Sequence, residues 1–364
     1  MSTYEVGVGS YPVDIKAQDA LHVKTLILEN SVFVSMDLTS LTQNNIEHFK
    51  KVILEVVDYT NIYISVTHNF SSMHIHDKNP EYRDYLYEKF DEALRQSLWH
   101  AKNSIQDTTI EYAKAICPIN INRNVWTDQG YWLGKNREGF SNHEVQVLLF
   151  KHNDILFANM IFYDLQCSVL DHVDIVSGDI AGCLSQMYQK EGVTSFFVCG
   201  CAADQMPDYN QKTYEEVQSL SRILYKSIPS HGTALSKKLI FKEKQVSLVK
   251  QVMKYPTKEL KPHTSFEFEK EEGWIQVPIY YIGLGQIHIV LTMPELNSEF
   301  GKQIQDEFEQ PVLIGTLING GCKYLPQKED YEKITYTAMN TQIGYGSDAF
   351  FLRAIQELRN EVEG

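Results

Sequence analysis

The sequence has no CxxC pair, no cluster of Lys and Arg, no long apolar run and no internal repeat, and each gap excludes something. No apolar stretch approaches the roughly 20 residues needed to cross a bilayer, so a membrane-spanning helix is excluded. The opening residues, Met1-Ser2-Thr3-Tyr4-Glu5-Val6, show no basic region leading into an apolar run, and no secretory signal is expected. The six cysteines (117, 167, 183, 199, 201 and 322) are scattered, several among apolar or small neighbours. Reduced, mostly buried thiols in a cytoplasmic protein are the expectation. Phosphate contacts need clustered cations, and this chain carries a formal charge of -14. Nucleic-acid binding is therefore excluded, and the acidic balance by itself means solubility. With no repeat and no low-complexity linker, residues 1–364 are expected to form one domain.

What is present is an ordinary globular composition, 43% hydrophobic and 22% charged, which is incompatible with disorder. Apolar runs rich in Val, Ile, Leu and Phe predict strands at 22–28, 31–36, 61–66, 145–150, 154–163, 195–199, 286–291 and 312–318. Helices are predicted at 43–58, 80–105, 182–190, 211–228, 297–309 and 347–362, the second with Tyr85, Phe90, Leu94 and Leu98 as its apolar residues. The alternation indicates an α/β fold, a mixed β-sheet core flanked by helices. The charged, β-prone stretch 237–273 reads as an antiparallel excursion.

Two apolar strands end abruptly in chemically capable residues. Ile62-Tyr63-Ile64-Ser65-Val66 runs into Thr67-His68-Asn69-Phe70, and Phe196-Phe197-Val198 runs into Cys199-Gly200-Cys201-Ala202-Ala203-Asp204. The carboxyl ends of strands in α/β sheets are where ligands and catalytic groups collect, so both segments are candidate walls of one site. His68 can be a structural imidazole or a metal ligand. His74, His76 and Asp77 can hold a metal or be a solvated loop. Glu295 follows a strand and precedes a helix, where a carboxylate is either stabilised by the helix N-terminus or aimed at a metal or substrate. Tyr324 follows Gly320 and Gly321 and precedes Pro326 by two residues, a weak signal taken alone.

In order, these segments resemble the catalytic domain of the neutral/alkaline (non-lysosomal) ceramidases, in a short bacterial-type form without the C-terminal immunoglobulin-like domain. The resemblance rests on Val6-Gly7-Val8-Gly9, Val34-Ser35-Met36-Asp37-Leu38, Val66-Thr67-His68-Asn69-Phe70-Ser71, Ile121-Asn122-Arg123 and Ser177-Gly178-Asp179-Ile180-Ala181-Gly182. Gly200 to Pro207, Met293-Pro294-Glu295 and Lys323-Tyr324-Leu325-Pro326 complete it, so it spans nearly the whole chain. It implies a Zn2+-dependent amidase whose metal is held by two histidines, a glutamate and a tyrosine. Motif by motif, His68 matches the first histidine, Glu295 the glutamate and Tyr324 the tyrosine. Gln166 stands where the second histidine would be.

The departures shape the expectation. A glutamine amide oxygen is a poor zinc ligand beside imidazole, which weakens the site or shifts it towards another divalent metal or none. Phe70 replaces a histidine near the reacting carbonyl, a kind of group worth about 10²–10⁴-fold in rate. Met206 stands in place of a serine beside the substrate amide. Ceramide is thus not the expected substrate, and a soluble small molecule or peptide is. Asp204 and His74 are the candidate acid/base groups, and Asn122, Arg123, Phe70 and Met206 the candidate substrate contacts. The competing expectation is a non-catalytic binding or assembly protein with a degenerate metal site. If the strand ending near residue 163 continued, Asp164 would share the face of Gln166.

Overall fold

The computed structural model describes residues 3–253 and 260–363. A nine-stranded mixed sheet runs in the order Thr194–Cys199, Ile155–Tyr163, Glu144–His152, Gln106–Ile116, Tyr4–Pro12, His22–Leu28, Ser31–Met36, Asn61–Val66, with the short Thr233–Ala234 added beside Gln106–Ile116. The two pairs at its ends are parallel and the pairs between them antiparallel. A second sheet holds Leu239–Met253, Phe268–Leu284, Ile287–Thr292 and Val312–Gly315. Its first two strands are the antiparallel excursion expected from 237–273, of which residues 254–259 lie outside the described residues.

The two sheets pack face to face. One apolar cluster joins Leu26, Phe33, Phe150 and Phe162 of the first sheet to Ile282, Ile289, Leu291 and Leu313 of the second. Helices Gln43–Leu54 and Pro80–Asn103 cover one part of the first sheet's outer face, and Asp179–Gln189 and Tyr214–Ser227 the other. Helices Ser298–Asp306 and Ser347–Glu363 cover the outer face of the second. The result is four layers, helix, sheet, sheet, helix. A strand packed on both faces needs a continuous apolar run, which is why His22–Leu28, Ser31–Met36 and Ile287–Thr292 are buried at every position.

Local chemistry explains the helix contacts. A Cβ on Gly7 would lie 2.0 Å from the Ala101 carbonyl oxygen and one on Gly9 1.9 Å from that of Ser97, so the glycines let Pro80–Asn103 press its backbone onto the strand. That helix buries Leu86, Phe90, Leu94 and Leu98, whereas Tyr85 is 44% exposed and lies off the expected face.

The first sheet is strongly coiled. The Phe33 and Phe196 rings meet edge to face at 6.5 Å, although their strands are not bonded neighbours. Val66 and Cys199, each the last residue of its strand, consequently share one apolar cluster, and the segments that follow them converge. All six cysteines are unpaired, as expected. No helix among the described residues is long and apolar enough to cross a membrane.

Candidate functional site

Three short backbone pairings assemble the site from distant parts of the chain. In the first, Asn69 bridges Cys167, with Cys167 N–H donating to the His68 carbonyl at 3.2 Å and Phe70 N–H to the Cys167 carbonyl at 2.9 Å. This places His68 beside Gln166. In the second, Glu295–Leu296 and Tyr324–Leu325 run parallel, with Glu295 directly opposite Tyr324. In the third, Gln205–Pro207 pairs with Asn120–Thr127, and Arg123 N–H donates to the Asp204 carbonyl at 2.8 Å.

His68, Gln166, Glu295 and Tyr324, drawn from four separate motifs, are thereby brought together, and none is more than 7% exposed. His68 has a φ of +53°, in the left-handed region. For a non-glycine residue this conformation costs about 1–2 kcal/mol, held in place by the surrounding bonds. Its Nδ1 lies 2.7 Å from the Thr39 carbonyl oxygen, which can only accept, so Nδ1 carries the hydrogen in the neutral ring. Nε2 then presents a lone pair. It sits 3.1 Å from Glu295 Oε2, yet the two are not aligned for a hydrogen bond and Nε2 has no bonded partner.

Arg123 organises the other side. Its guanidinium donates to the Ala203 carbonyl, to Gln166 Oε1 at 3.1 Å and to the Tyr324 hydroxyl at 3.3 Å. With Oε1 so engaged, the Gln166 amide nitrogen faces inward, donating to the Ala202 carbonyl at 3.0 Å and to Glu295 Oε2 at 3.2 Å. The alternative amide orientation would set oxygen against oxygen and nitrogen against a cation, so the network fixes the assignment. Burial alone would raise the Glu295 carboxyl, but His68, Arg123 and the Gln166 amide outweigh it and hold the group below its ordinary value. Burial, reinforced by Glu295, pushes the Tyr324 phenol well above its ordinary value, with Arg123 opposing.

The other expected residues are placed around this centre. Phe70 sets its ring edge-on to His68 at 4.8 Å. Asp204 is buried, accepting from Asn122 Nδ2 at 2.9 Å and from Ser298 N–H at 2.9 Å. Desolvation raises its carboxyl despite those bonds. Met206 is half-buried opposite Ile121. His74 is exposed, its ring stacked on His76 at 5.2 Å. Desolvation, then the nearby His76 and His68, lowers it.

Asp164 does not share the face of Gln166. The strand ends at Tyr163, a tight turn follows, and the carboxylate accepts from Cys201 N–H and the Ser298 hydroxyl, each at 2.7 Å. Burial there raises it to about 7. Asp179, at the Ser-Gly-Asp turn, accepts from Leu170 and Ile180 N–H and from the Ser71 hydroxyl. It ties together the loops that carry Phe70 and Gln166. The role of Arg123 as the hub joining Gln166 to Tyr324 had no signal in the sequence beyond the Asn-Arg segment itself.

Among the described residues no group of three or more His, Cys, Asp or Glu side chains is arranged to hold a metal. Any ion here would take His68 and Glu295 with the Tyr324 phenol as third donor. The donor chemistry fits that much: two ligand atoms on one tetrahedral ion, each bonded at about 2.0–2.2 Å, lie about 3.3 Å apart. The unaligned 3.1 Å approach of Nε2 to Oε2 matches that spacing.

Over 99% of its length the chain follows a ceramidase solved in complex with C2, with a TM-score of 0.81 at 12% identity, covering 76% of that chain. This is the neutral ceramidase fold. The neutral ceramidase of Pseudomonas aeruginosa is similarly close, with a TM-score of 0.77 at 13% identity over 99% of this chain and 75% of that one. At these identities the likeness is one of fold. No family model and no curated protein sequence matches the chain. Within the ceramidase fold, the converging strand ends and the Glu295–Tyr324 pairing are what hold the candidate centre together.

Proposed function

We propose that this chain is a metal-dependent hydrolase that cuts an amide or related bond in a soluble small molecule or peptide. The observation that supports it most is the His68 Nε2 lone pair, buried without a hydrogen bond and facing a carboxylate at 3.1 Å. A doubly protonated ring would make this contact an ion pair, the form in which His68 lowers the Glu295 carboxyl, whereas a neutral ring is repelled unless a cation lies against both groups. Zinc, or another divalent ion, would be held by His68, Glu295 and Tyr324, and would supply Lewis-acid polarisation and water ionised near neutral pH.

The remaining work falls to the chain's own groups. The Thr39 carbonyl fixes the His68 tautomer. Gln166 spends both amide hydrogens on the Ala202 carbonyl and Glu295, with Arg123 holding the amide in that orientation, so its part is to position the Glu295 carboxylate. Phe70 shields the imidazole from water. Asp204, which keeps its proton more readily than an ordinary aspartate, is the candidate acid/base group, with His74 the more exposed alternative. The unpaired cysteines suit a reducing compartment, which supports a cytoplasmic location.

A second reading, a non-catalytic binding or assembly protein, is favoured by one observation: Gln166 presents a donor and not a lone pair to the centre. Metal analysis by ICP-MS on protein kept from chelators and affinity metals separates the two. Near one metal per chain, lost in His68→Ala and Glu295→Gln, supports the hydrolase and justifies an amide-substrate screen. Protein that stays metal-free after incubation with zinc, manganese and iron sinks the proposed chemistry and leaves the binding reading.

A further inference from the structure

A polar cavity of about 440 Å³ lies behind the wall formed by Asn122 and Asp204, between the hairpin of Asn120–Thr127 and Gly130–Asn136 and the first turn of helix Ser298–Asp306. We propose that it is a binding site for a polyhydroxylated, carbohydrate-type ligand, neutral or carrying an amine. The inference stands apart from the proposed hydrolysis and holds whether or not the buried centre is catalytic.

Its walls divide into two kinds of group. Two carboxylates are already hydrogen-bonded within the protein. Asp330 accepts from Gln327 N–H and Asn297 Nδ2 and bonds the Thr335 hydroxyl, and Asp204 accepts from Asn122 and Ser298. Both are buried and raised by desolvation, Asp330 to about 6. They fasten the walls, and neither of the two is itself bare for an inorganic cation. Other groups on the walls are not spoken for. Among the described residues the Asn124 amide, the Tyr131 hydroxyl, Glu299, Glu329 and Lys333 have no side-chain hydrogen-bond partner. Asn297 Oδ1, on a residue 5% exposed, is also buried without one.

That inventory selects the ligand. Carboxylates, amide oxygens, amide nitrogens, a phenol and one ammonium alternate around the space, so the ligand must both donate and accept at many points, as hydroxyl groups do. The acidic excess rejects phosphates and other anions. The scarcity of apolar side chains rejects an acyl chain, while the Tyr131 and Phe140 rings offer flat surfaces for the C–H face of a sugar ring. The volume falls within the range of about 300–1,000 Å³ usual for small-molecule pockets and suits a ligand of mono- to disaccharide size.

Saturation-transfer NMR with pooled neutral and amino mono- and disaccharides, followed by calorimetry on each responder, tests the proposal on the full chain. At least one sugar should bind saturably, and Asn124→Ala and Glu329→Gln should each weaken it at least about tenfold, the loss of one or two good hydrogen bonds. Urea midpoints and metal content of both variants should match the parent. Failure of every sugar to bind, binding that both variants leave unchanged, or tighter binding of putrescine, calcium or inorganic phosphate than of any sugar would each overturn the proposal. A metal-free protein that still binds sugar would refute only the hydrolase reading.

Discussion

Replacing Gln166 by histidine tests the whole arrangement of the buried centre, because the parent amide makes three bonds that an imidazole cannot all remake. Two involve charged partners, Arg123 at 3.1 Å and Glu295 at 3.2 Å, and one is to the neutral Ala202 carbonyl at 3.0 Å. Bonds to charged groups contribute about 1.5–3 kcal/mol each and a neutral one about 1 kcal/mol. If the imidazole N–H remakes the neutral bond, the low end for the other two gives a loss of about 3 kcal/mol in metal-free buffer. The new side chain adds a strong ligand beside His68, Glu295 and Tyr324, so zinc affinity should rise by more than the about 10–100-fold that outer partners contribute. At a hundredfold excess of free zinc over its dissociation constant, binding restores about 2.7 kcal/mol and nearly cancels the deficit. Urea unfolding of Gln166→His with EDTA and with buffered zinc reads both numbers, and a chelator competition gives the affinity. A deficit under about 1 kcal/mol in EDTA would mean the amide is not bonded as described. Unchanged zinc affinity would mean the four side chains do not converge on one point.

Three further outcomes follow from geometry elsewhere. Asp164 has a folded-state value of about 7, above the ordinary carboxylate range, so the folded state binds the proton more tightly. Stability should therefore fall as pH rises from about 4 towards about 7 and level off above, and Asp164→Asn should flatten that part of the urea-midpoint profile. Gly9→Ala puts a methyl 1.9 Å from the Ser97 carbonyl oxygen and should cost about 1–3 kcal/mol or more in chemical denaturation. Asn319 accepts from Ile64 N–H and donates to the Ile62 carbonyl along the edge of strand Asn61–Val66, so Asn319→Ala should lower stability by about 2–4 kcal/mol, read by calorimetric melting.

The strands packed between layers were legible because burial on both faces demands an uninterrupted apolar run, as in His22–Leu28 and Asn61–Val66. Strands with a polar or interrupted pattern were not. Tyr4–Pro12 is broken by glycines that serve helix contact, and Gln106–Ile116 mixes exposed and buried positions with Lys and Ala. The strand expected at 312–318 stops at Gly315, since Leu317 and Asn319 turn the chain with positive φ. The four centre residues were found at separate motifs, but their meeting depends on pairings 29 to 98 positions apart in sequence, between 295 and 324 and between 69 and 167. Parity along a strand failed for Asp164 because it applies only while the strand lasts, and this one had ended one residue earlier.

The three pairings that build the centre also bear on the order in which the molecule folds. Residues 69 and 167 and residues 123 and 204 close loops of 98 and 81 positions, and residues 295 and 324 a shorter one of 29. Loop-closure entropy must be met before such contacts return anything, so the centre forms late, after the local hairpins and helices have docked. A nascent chain would pass through much of its synthesis with His68 already made and Tyr324 not yet available, leaving the imidazole without its eventual neighbours. The buried carboxylate and guanidinium are then expected to meet late in folding, so that an intact centre would report a completed chain.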